Sequence, residues 1–224
     1  MACRRLVRAS AAAGALTTAL VAAAPASAAT VSLWHMNETS GTTMVDSVGG
    51  NNGTLRNVAL GAPGFAGTAY SFPGRNSIVE VPSRAGLNPG SASFSVTVHI
   101  RTSVVTRDDS ADVIRKGLST NSATLWKMEL RPSSTRKTER VRCYFDGTSG
   151  TVSLYGPTNV ADGAWHTITC AKNGTSVSVT QDGVTRTKTG KAGSISNSAR
   201  LTIGAKSRTD DAYQGLVDEV SFNR

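Results

Sequence analysis

Aromatic and charged residues are both scarce in this chain of 224 residues, at 5% and 17%. It also lacks a heptad repeat and any amphipathic helical pattern of useful length, which argues against a helical bundle or a coiled coil. What the chain does have is 22 glycines, with serine and threonine recurring along its length. That composition is typical of many short strands joined by tight turns. We therefore expect a single all-β domain.

Long hydrophobic runs are absent after residue 28, so we expect no membrane span there. Before that point the chain has the three parts of a secretion signal. They are an arginine-rich start, an apolar stretch over residues 11–24, and the cleavage motif Ala26-Ser27-Ala28. We predict that residues 1–28 are a signal peptide and that residues 29–224 form a secreted, extracellular, monomeric domain. A retained anchor is the alternative.

Cysteine is rare, with three in the chain, and Cys3 would leave with the signal. Cys143 and Cys170 remain, and each shares one face of a predicted strand with apolar residues. In an exported protein such a pair predicts a disulfide. We expect neighbouring strands to bring the two sulfurs together. Two buried free thiols are the alternative.

Residues 162–183 predict a β-hairpin around which the rest of the chain is arranged. Asp162-Gly163 opens it, Asn173-Gly174 forms the central turn, and Asp182-Gly183 closes the second strand. Residues 93–101 show a second clear alternation, with apolar side chains at every other position. About a dozen short strands with frequent turns predict a two-sheet antiparallel β-sandwich or jelly roll.

Several segments, taken together and in order, resemble the laminin G-like, concanavalin A-like jelly-roll superfamily in its secreted bacterial form. They are residues 34–41 with Asp46 and Gly49-Gly50, then 67–74, 93–96, 113–117, 162–166 with 182–183, and 213–220. The resemblance spans nearly all of residues 29–224. It implies two stacked antiparallel sheets and, commonly, glycan or protein binding with a structural calcium. It does not imply one particular ligand.

Asp218 is the most informative carboxylate for a metal. It has the same strand parity as Leu216, Val220 and Phe222, which we expect in the core. Burying a carboxylate there is costly unless it is paired or metal-bound, and Ca²⁺ prefers such oxygens. The resemblance implies a calcium between the first and last strands, so Glu38, just past the first strand, is the expected second ligand. A hydrogen-bonded or arginine-paired Asp218 is the alternative.

Two further acidic clusters occur along the chain, and we interpret both as solvated loops. The first comprises Asp108, Asp109 and Asp112, with calcium ligation near a binding rim as its alternative. The second is the pair Asp210-Asp211.

Motifs for catalysis are missing. No glutamate has an aspartate two residues later, as related sandwich glycosidases have on their catalytic strand. There is no Gly-x-Ser-x-Gly, no His-Glu-x-x-His and no phosphate loop. His166 shares a face with Ile168 and Cys170, so we interpret it as a core histidine. We predict no catalytic residues and no enzyme activity; a divergent glycoside hydrolase is the alternative.

The candidate ligand-binding residues are two aromatic and two basic ones. Tyr144 and Tyr155 are candidates for stacking on sugar rings, although both could simply cap a sheet. Arg140 and Arg142 belong to a basic block that could meet an anionic polymer, or could discourage strand pairing at a sheet edge. The formal charge of +9 falls to 9 − 3 = +6 without Arg4, Arg5 and Arg8. That charge favours anionic partners or serves solubility alone.

These observations favour a secreted, non-catalytic module that binds an extracellular glycan, an anionic polymer or another extracellular ligand. We expect no specific binding of nucleic acid. A protein-interaction or adhesion domain without glycan affinity is the remaining alternative.

Overall fold

The computed structural model describes residues 28–118 and 124–224, so the predicted signal peptide, apart from Ala28, lies outside the described residues. Eight strands form the first sheet: β1 (Thr30–Trp34), β4 (Ala59–Pro63), β5 (Thr68–Pro73), β7 (Phe94–Arg101), β12 (Trp165–Asn173), β13 (Ser176–Gln181), β14 (Val184–Thr189) and β16 (Gln214–Asn223). Eight form the second: β2 (Thr43–Met44), β3 (Gly53–Arg56), β6 (Ile78–Val81), β8 (Ala111–Lys116), β9 (Leu125–Pro132), β10 (Glu139–Gly147), β11 (Gly150–Tyr155) and β15 (Leu201–Ile203). A short 3₁₀ turn covers Ala85–Leu87.

Both sheets are antiparallel and they stack as a sandwich, which confirms the predicted fold. The first sheet has the order β14-β13-β12-β7-β16-β5-β4, and β1 pairs with the second half of β16. The second has the order β11-β10-β9-β8-β15-β6-β3-β2. The first and last strands therefore lie side by side, as expected. Within the described residues, no helix is long and apolar enough to cross a membrane.

The predicted hairpin is present as β12 and β13, and β14 extends it. Asp182 and Gly183 both have positive φ, at 51° and 81°, as a two-residue turn between twisted strands requires. The central turn differs by one residue from the prediction. Asn173 pairs with Ser176, so Gly174-Thr175 occupies the turn and Asn173 ends the strand.

Alternating side chains from both sheets fill the core. Phe94, Val96, Val98 and Ile100 of β7 all point inward and are at most 2% exposed. The Phe94 ring packs against Trp126 of β9 and Phe145 of β10, with centroids 5.9 and 5.7 Å apart. These contacts join the two sheets.

The predicted disulfide between Cys143 and Cys170 is present, with 5.6 Å between the two Cα atoms. Its placement differs from the expectation of neighbouring strands. Cys143 lies on β10 and Cys170 on β12, which belong to different sheets. Because both side chains face the core, they meet across it. The bond therefore ties the two sheets together through the sandwich.

A bulge in β16 overturns the parity argument for Asp218. Asp218 lies opposite His99 and Ser221 opposite Thr97, so three steps on β16 match two on β7. Glu219 takes up the extra residue with φ of 44°. Directly opposite residues share a face, so Asp218 points outward with His99 rather than into the core with Val220 and Phe222.

Candidate functional site

Strand register brings the four predicted binding residues onto one face, the outer face of the second sheet. Arg140, Arg142 and Tyr144 alternate along β10 with Val141 and Cys143, which are buried in the core. Tyr155 of β11 lies directly opposite Arg142. Residues that face each other across an antiparallel pair point the same way. The four side chains therefore form one surface, which we call the cation–aromatic face.

Strand β9 adds three charged residues that the sequence reasoning did not select. Lys127 lies opposite Tyr144, Glu129 opposite Arg142, and Arg131 opposite Arg140. The sequence could have indicated these charged residues. Trp126, Met128 and Leu130 share the inward side of the strand, so the charged residues between and after them must lie on the outer side.

Ion pairs of alternating sign run across this face from β8 to β10. Arg115 pairs with Asp112 at 2.6 Å, and Lys127 lies 3.2 Å from Asp112 and 2.5 Å from Glu129. Arg142 completes the row at 3.1 Å from Glu129. Both carboxylates are fully buried and have cationic partners on two sides, which offsets the cost of burying them.

The arrangement corrects the interpretation of Asp112 as part of a solvated loop. Asp112 lies within β8 and is 0% exposed. Asp109 fits the interpretation, with a side chain 90% exposed. In the second acidic pair, Asp210 forms an ion pair with Lys206, and Asp211 accepts a hydrogen bond from the Ser110 hydroxyl.

The two tyrosines of the face differ in what surrounds them. The Tyr144 ring has the Arg142 guanidinium 4.8 Å from its centroid and the Lys127 ammonium at 5.8 Å. At Tyr155 the guanidinium groups of Arg140 and Arg142 lie 5.6 and 5.7 Å from the ring centroid, so neither is as close as Arg142 is to Tyr144. Tyr144 thus holds cations in place. Tyr155 keeps 38% of its surface exposed to solvent.

A cleft of about 310 Å³ opens beside Tyr155, lined also by Arg131, Pro132, Ser133 and Arg140. Arg140 is fixed there because its guanidinium donates to the Gly156 carbonyl. The Arg131 side chain forms no hydrogen bond or ion pair with any described residue, so its guanidinium donors are available to a ligand. The cleft thus combines an exposed ring, a hydroxyl and two guanidinium groups.

Charge on the face is unbalanced toward the positive sign. Between β8 and β11 its cations are Arg115, Lys127, Arg131, Arg140 and Arg142, and its carboxylates are Asp112, Glu129 and Asp146. Five positive charges against three negative ones leave a net charge of +2. The excess lies at the β10–β11 end, where Arg131 and Arg140 have no acidic partner among the described residues.

Protein donors already occupy the two residues predicted to bind calcium. Asp218 Oδ2 accepts from the backbone N–H groups of Phe65 and Ala66 at 2.8 and 2.9 Å, and Oδ1 from that of Glu219 at 2.9 Å. Burial raises the pKa of Asp218, and these donors act against that rise. Glu38 accepts from the Tyr70 hydroxyl and from the Val45 N–H.

These contacts match the alternative interpretation of Asp218 as a hydrogen-bonded carboxylate. Among residues 28–118 and 124–224, no group of three or more histidine, cysteine, aspartate or glutamate side chains is arranged to hold a metal ion. The calcium site at Asp218 and Glu38 stays a prediction.

His166 lies on the inward side of β12, as expected, and is 7% exposed. Its Nδ1 is 2.7 Å from Asp182 and its Nε2 is 3.0 Å from Asp162. Burial alone would lower the pKa of His166, but the two carboxylates outweigh burial and raise it. The histidine therefore ties the two ends of the β12–β13 hairpin together.

Comparison with known proteins places the chain by its fold. A laminin G family model, described as the concanavalin A-like lectin/glucanases superfamily, matches residues 73–224. A search of curated protein sequences found no match.

Among solved structures, the binding domain of Paraclostridial Mosquitocidal Protein 1 matches with a TM-score of 0.65 and 14% identity, over 87% of this chain and 48% of that one. Domain 4 of AbnA, a GH43 extracellular arabinanase from Geobacillus stearothermophilus in complex with arabinotriose, matches with 0.63 and 18%, over 88% and 93%. The binding domain of Botulinum Neurotoxin DC in complex with SialylT matches with 0.62 and 16%, over 87% and 48%. The chain spans about half the length of the two toxin binding domains.

Proposed function

Because this chain belongs to the concanavalin A-like lectin/glucanase superfamily, we propose that it is a secreted, non-catalytic module that binds anionic extracellular glycans on the cation–aromatic face. One observation carries the proposal: the cleft beside Tyr155 places an exposed aromatic ring next to two guanidinium groups, those of Arg131 and Arg140.

Each group in the cleft matches one feature of an acidic sugar. The Tyr155 ring suits the apolar face of a pyranose. The guanidinium groups of Arg131 and Arg140 suit a carboxylate or a sulfate, which they can bind through paired N–H donors. The Ser133 hydroxyl suits a sugar hydroxyl. Two of the similar domains were solved in complex with arabinotriose and SialylT, which supports carbohydrate as the ligand class.

The carboxylates of this face support binding rather than hydrolysis. Glycoside hydrolysis requires one carboxyl group that donates a proton and a second that acts as nucleophile or base. Asp112 and Glu129 are buried and each contacts two cations. Neither is free to serve in such a pair, and the one further carboxylate of the face between β8 and β11, Asp146, cannot supply both groups, so we expect no turnover of a glycan bound here.

The test is calorimetric titration with a uronic-acid oligosaccharide and a neutral oligosaccharide of equal length. The acidic ligand should bind more tightly, and its affinity should fall as salt is raised from 50 to 200 mM, because salt screens exposed charges. Tyr155→Ala and Arg131→Gln should each weaken it at least tenfold. Arg84→Ala, which removes an exposed arginine elsewhere, is the control.

Two results would refute the proposal. One is equal affinity for the neutral and the acidic oligosaccharide. The other is unchanged affinity in both cleft variants, which would place the ligand on another surface. Release of reducing ends during the titration would show that the domain is a hydrolase.

A further inference from the structure

A second cavity, of about 340 Å³, opens at one end of the sandwich and is separate from the cation–aromatic face. The second sheet contributes Glu139 and Ala111 from the first residues of β10 and β8. The first sheet contributes Gln214, the first residue of β16, and Tyr213 directly precedes it. The loop after β7 closes one side with Val104 and Thr106. The cavity is thus a gap between the two layers rather than a groove on their surface.

Glu139 forms part of the inner wall and points inward, on the same side of β10 as Val141 and Cys143. It is 1% exposed, yet it has little to stabilise its charge. Its Oε1 accepts one hydrogen bond, from the Thr106 N–H at 2.6 Å. Among the described residues, Oε2 has no donor and no cation lies within ion-pair distance.

The other four buried carboxylates in the described part of the chain are all better satisfied. Asp112 and Glu129 each contact two cations. Asp46 accepts from four backbone N–H groups, and Asp218 from three. A buried carboxylate with one donor is costly to keep unless something else supplies the missing contacts. Glu139 lines a cavity, so a ligand can supply them.

We propose that this cavity binds a small molecule through a primary ammonium group, which pairs with Glu139. An ammonium group brings three donors and the positive charge that Glu139 lacks. Val104, Ala111 and the Tyr213 ring provide apolar walls for the carbon skeleton. Arg75 and Asp108 lie at the rim with side chains 69% and 45% exposed, where they can meet hydroxyl or other polar groups of the ligand.

The pKa of Glu139 agrees with a buried carboxyl group that accepts a single hydrogen bond. Burial raises its pKa to about 7, against the opposing effect of the Thr106 N–H. The other ionisable groups lining the cavity are Tyr213, Arg75, Arg107 and Asp108. Burial also raises the pKa of Tyr213, so the phenol stays neutral. A guanidinium group is not deprotonated in proteins. Glu139 is therefore the group whose charge changes near neutral pH, and an alkylammonium ligand would favour its ionised form.

The experiment is an NMR titration of the protein with four probes: n-butylamine, n-butanol, glucosamine and glucose. Wild type is compared with Glu139→Gln, which keeps an oxygen for the Thr106 N–H, and with Glu80→Gln, which changes a carboxylate outside the cavity. The two amines should bind to the wild type at pH 7, and their neutral counterparts should not. Glu139→Gln should weaken amine binding at least tenfold, with its fold checked by circular dichroism. Glu80→Gln should bind as the wild type does.

The pH dependence gives a second readout. Butylamine stays protonated from pH 6 to pH 8. Over that range the ionised fraction of a carboxyl with a pKa of about 7 rises from about 0.1 to about 0.9, so wild-type affinity should rise about tenfold. The Glu139→Gln variant should show no such rise.

The amine probes also distinguish two sources of the ligand. Tighter binding of glucosamine supports an amino sugar, and tighter binding of butylamine supports an aliphatic amine. Equal binding of the neutral probes, amine binding that survives Glu139→Gln, or no binding of either amine would overturn the proposal. Each of these results leaves the glycan site at Tyr155 untouched, because the two sites are tested with different ligands and variants.

Discussion

Replacing Asp218 tests how much the backbone donors around this buried carboxylate, on the outer face of the first sheet, stabilise the protein. The two Asp218 oxygens accept three backbone N–H groups, two from the turn between β4 and β5 and one from the β16 bulge. Hydrogen bonds to a charged acceptor each contribute about 1.5–3 kcal/mol net. The cost of burying the charge offsets part of their sum. We therefore expect Asp218→Ala to lower the free energy of unfolding by about 2–4 kcal/mol.

Asp218→Asn separates the contributions of the two carboxylate oxygens. Asp218→Asn keeps one oxygen for the Phe65 and Ala66 N–H groups, but its amide NH₂ would face the Glu219 N–H. We expect it to cost about half as much as the alanine substitution. Urea unfolding of the oxidised protein measures both values. Asp146→Ala, which removes an acceptor for the Thr151 hydroxyl, is the control and should change stability by about 0.5 kcal/mol or less.

The turn between β4 and β5 allows the loss of these hydrogen bonds to be followed locally. Phe65 is 51% exposed, stacks on His99 with ring centroids 4.0 Å apart, and meets Trp165 edge-on at 6.2 Å. The other two tryptophans are at most 2% exposed. Loss of the hydrogen bonds to Asp218 should move Phe65 away from Trp165. Acrylamide should therefore quench the fluorescence of Trp165 more strongly in Asp218→Ala, at a temperature where the fold persists.

Calcium decides between the two accounts of Asp218. If backbone donors alone satisfy the carboxylate, EGTA and millimolar calcium should give the same melting temperature. A site filled at one hundred times its Kd would instead add about 2.7 kcal/mol, or several degrees in a domain of this size. A calcium-dependent rise that both Asp218 variants abolish would refute the hydrogen-bond account and support a metal site at Asp218.

Two other features give predictions of stability. Replacing Cys143 and Cys170 by serine, or reducing the bond, should cost about 3–4 kcal/mol in urea unfolding, because the bond closes a loop with a sequence separation of 27 residues; an equal midpoint for oxidised and reduced protein would contradict this. The pKa of His166 is raised in the folded protein, so the ion pairs of His166 with Asp162 and Asp182 stabilise the fold. This contribution is fully present below the pKa of the histidine in the unfolded chain, near 6.5, and is lost as pH rises through its pKa in the folded protein. The stability difference between wild type and His166→Asn should therefore be largest at acidic pH and shrink by pH 9, and a constant difference would show that the charged histidine contributes nothing.

Alternation along single strands was the part of this fold that could be predicted from the sequence. It assigned the inward faces of β7, β9, β10 and β12, and with them the disulfide and the common face of Arg140, Arg142 and Tyr144. It failed at Asp218, because a bulge shifts the parity of everything after it. The residue that absorbs this bulge is Glu219, with positive φ. A glycine there would have signalled the change, whereas a glutamate gives no warning.

Pairing between distant strands was beyond the reach of that reasoning. Asp112 looked like a loop residue because two further aspartates precede it. Its burial depends on Arg115 next to it and on Lys127 in the adjacent strand. The Tyr155 cleft likewise needs β10 and β11 to pair in one register, which sets Tyr155 opposite Arg142. Glu139 looked unremarkable, since nothing local shows that it starts β10 with its side chain facing the gap between the two sheets.

The position of the basic residues also bears on why they are there. If they served to discourage edge pairing, they should lie on an edge strand. In the first sheet this holds, because the edge strand β14 carries the exposed Arg186 and Lys188. In the second sheet the edge strand beside the cleft is β11, and its sequence, GTVSLY, has no charge. The arginines lie on β9 and β10, behind that edge and around Tyr155, where they cannot block a pairing strand but can contact a bound ligand. Binding therefore explains their placement better than protection of the edge does.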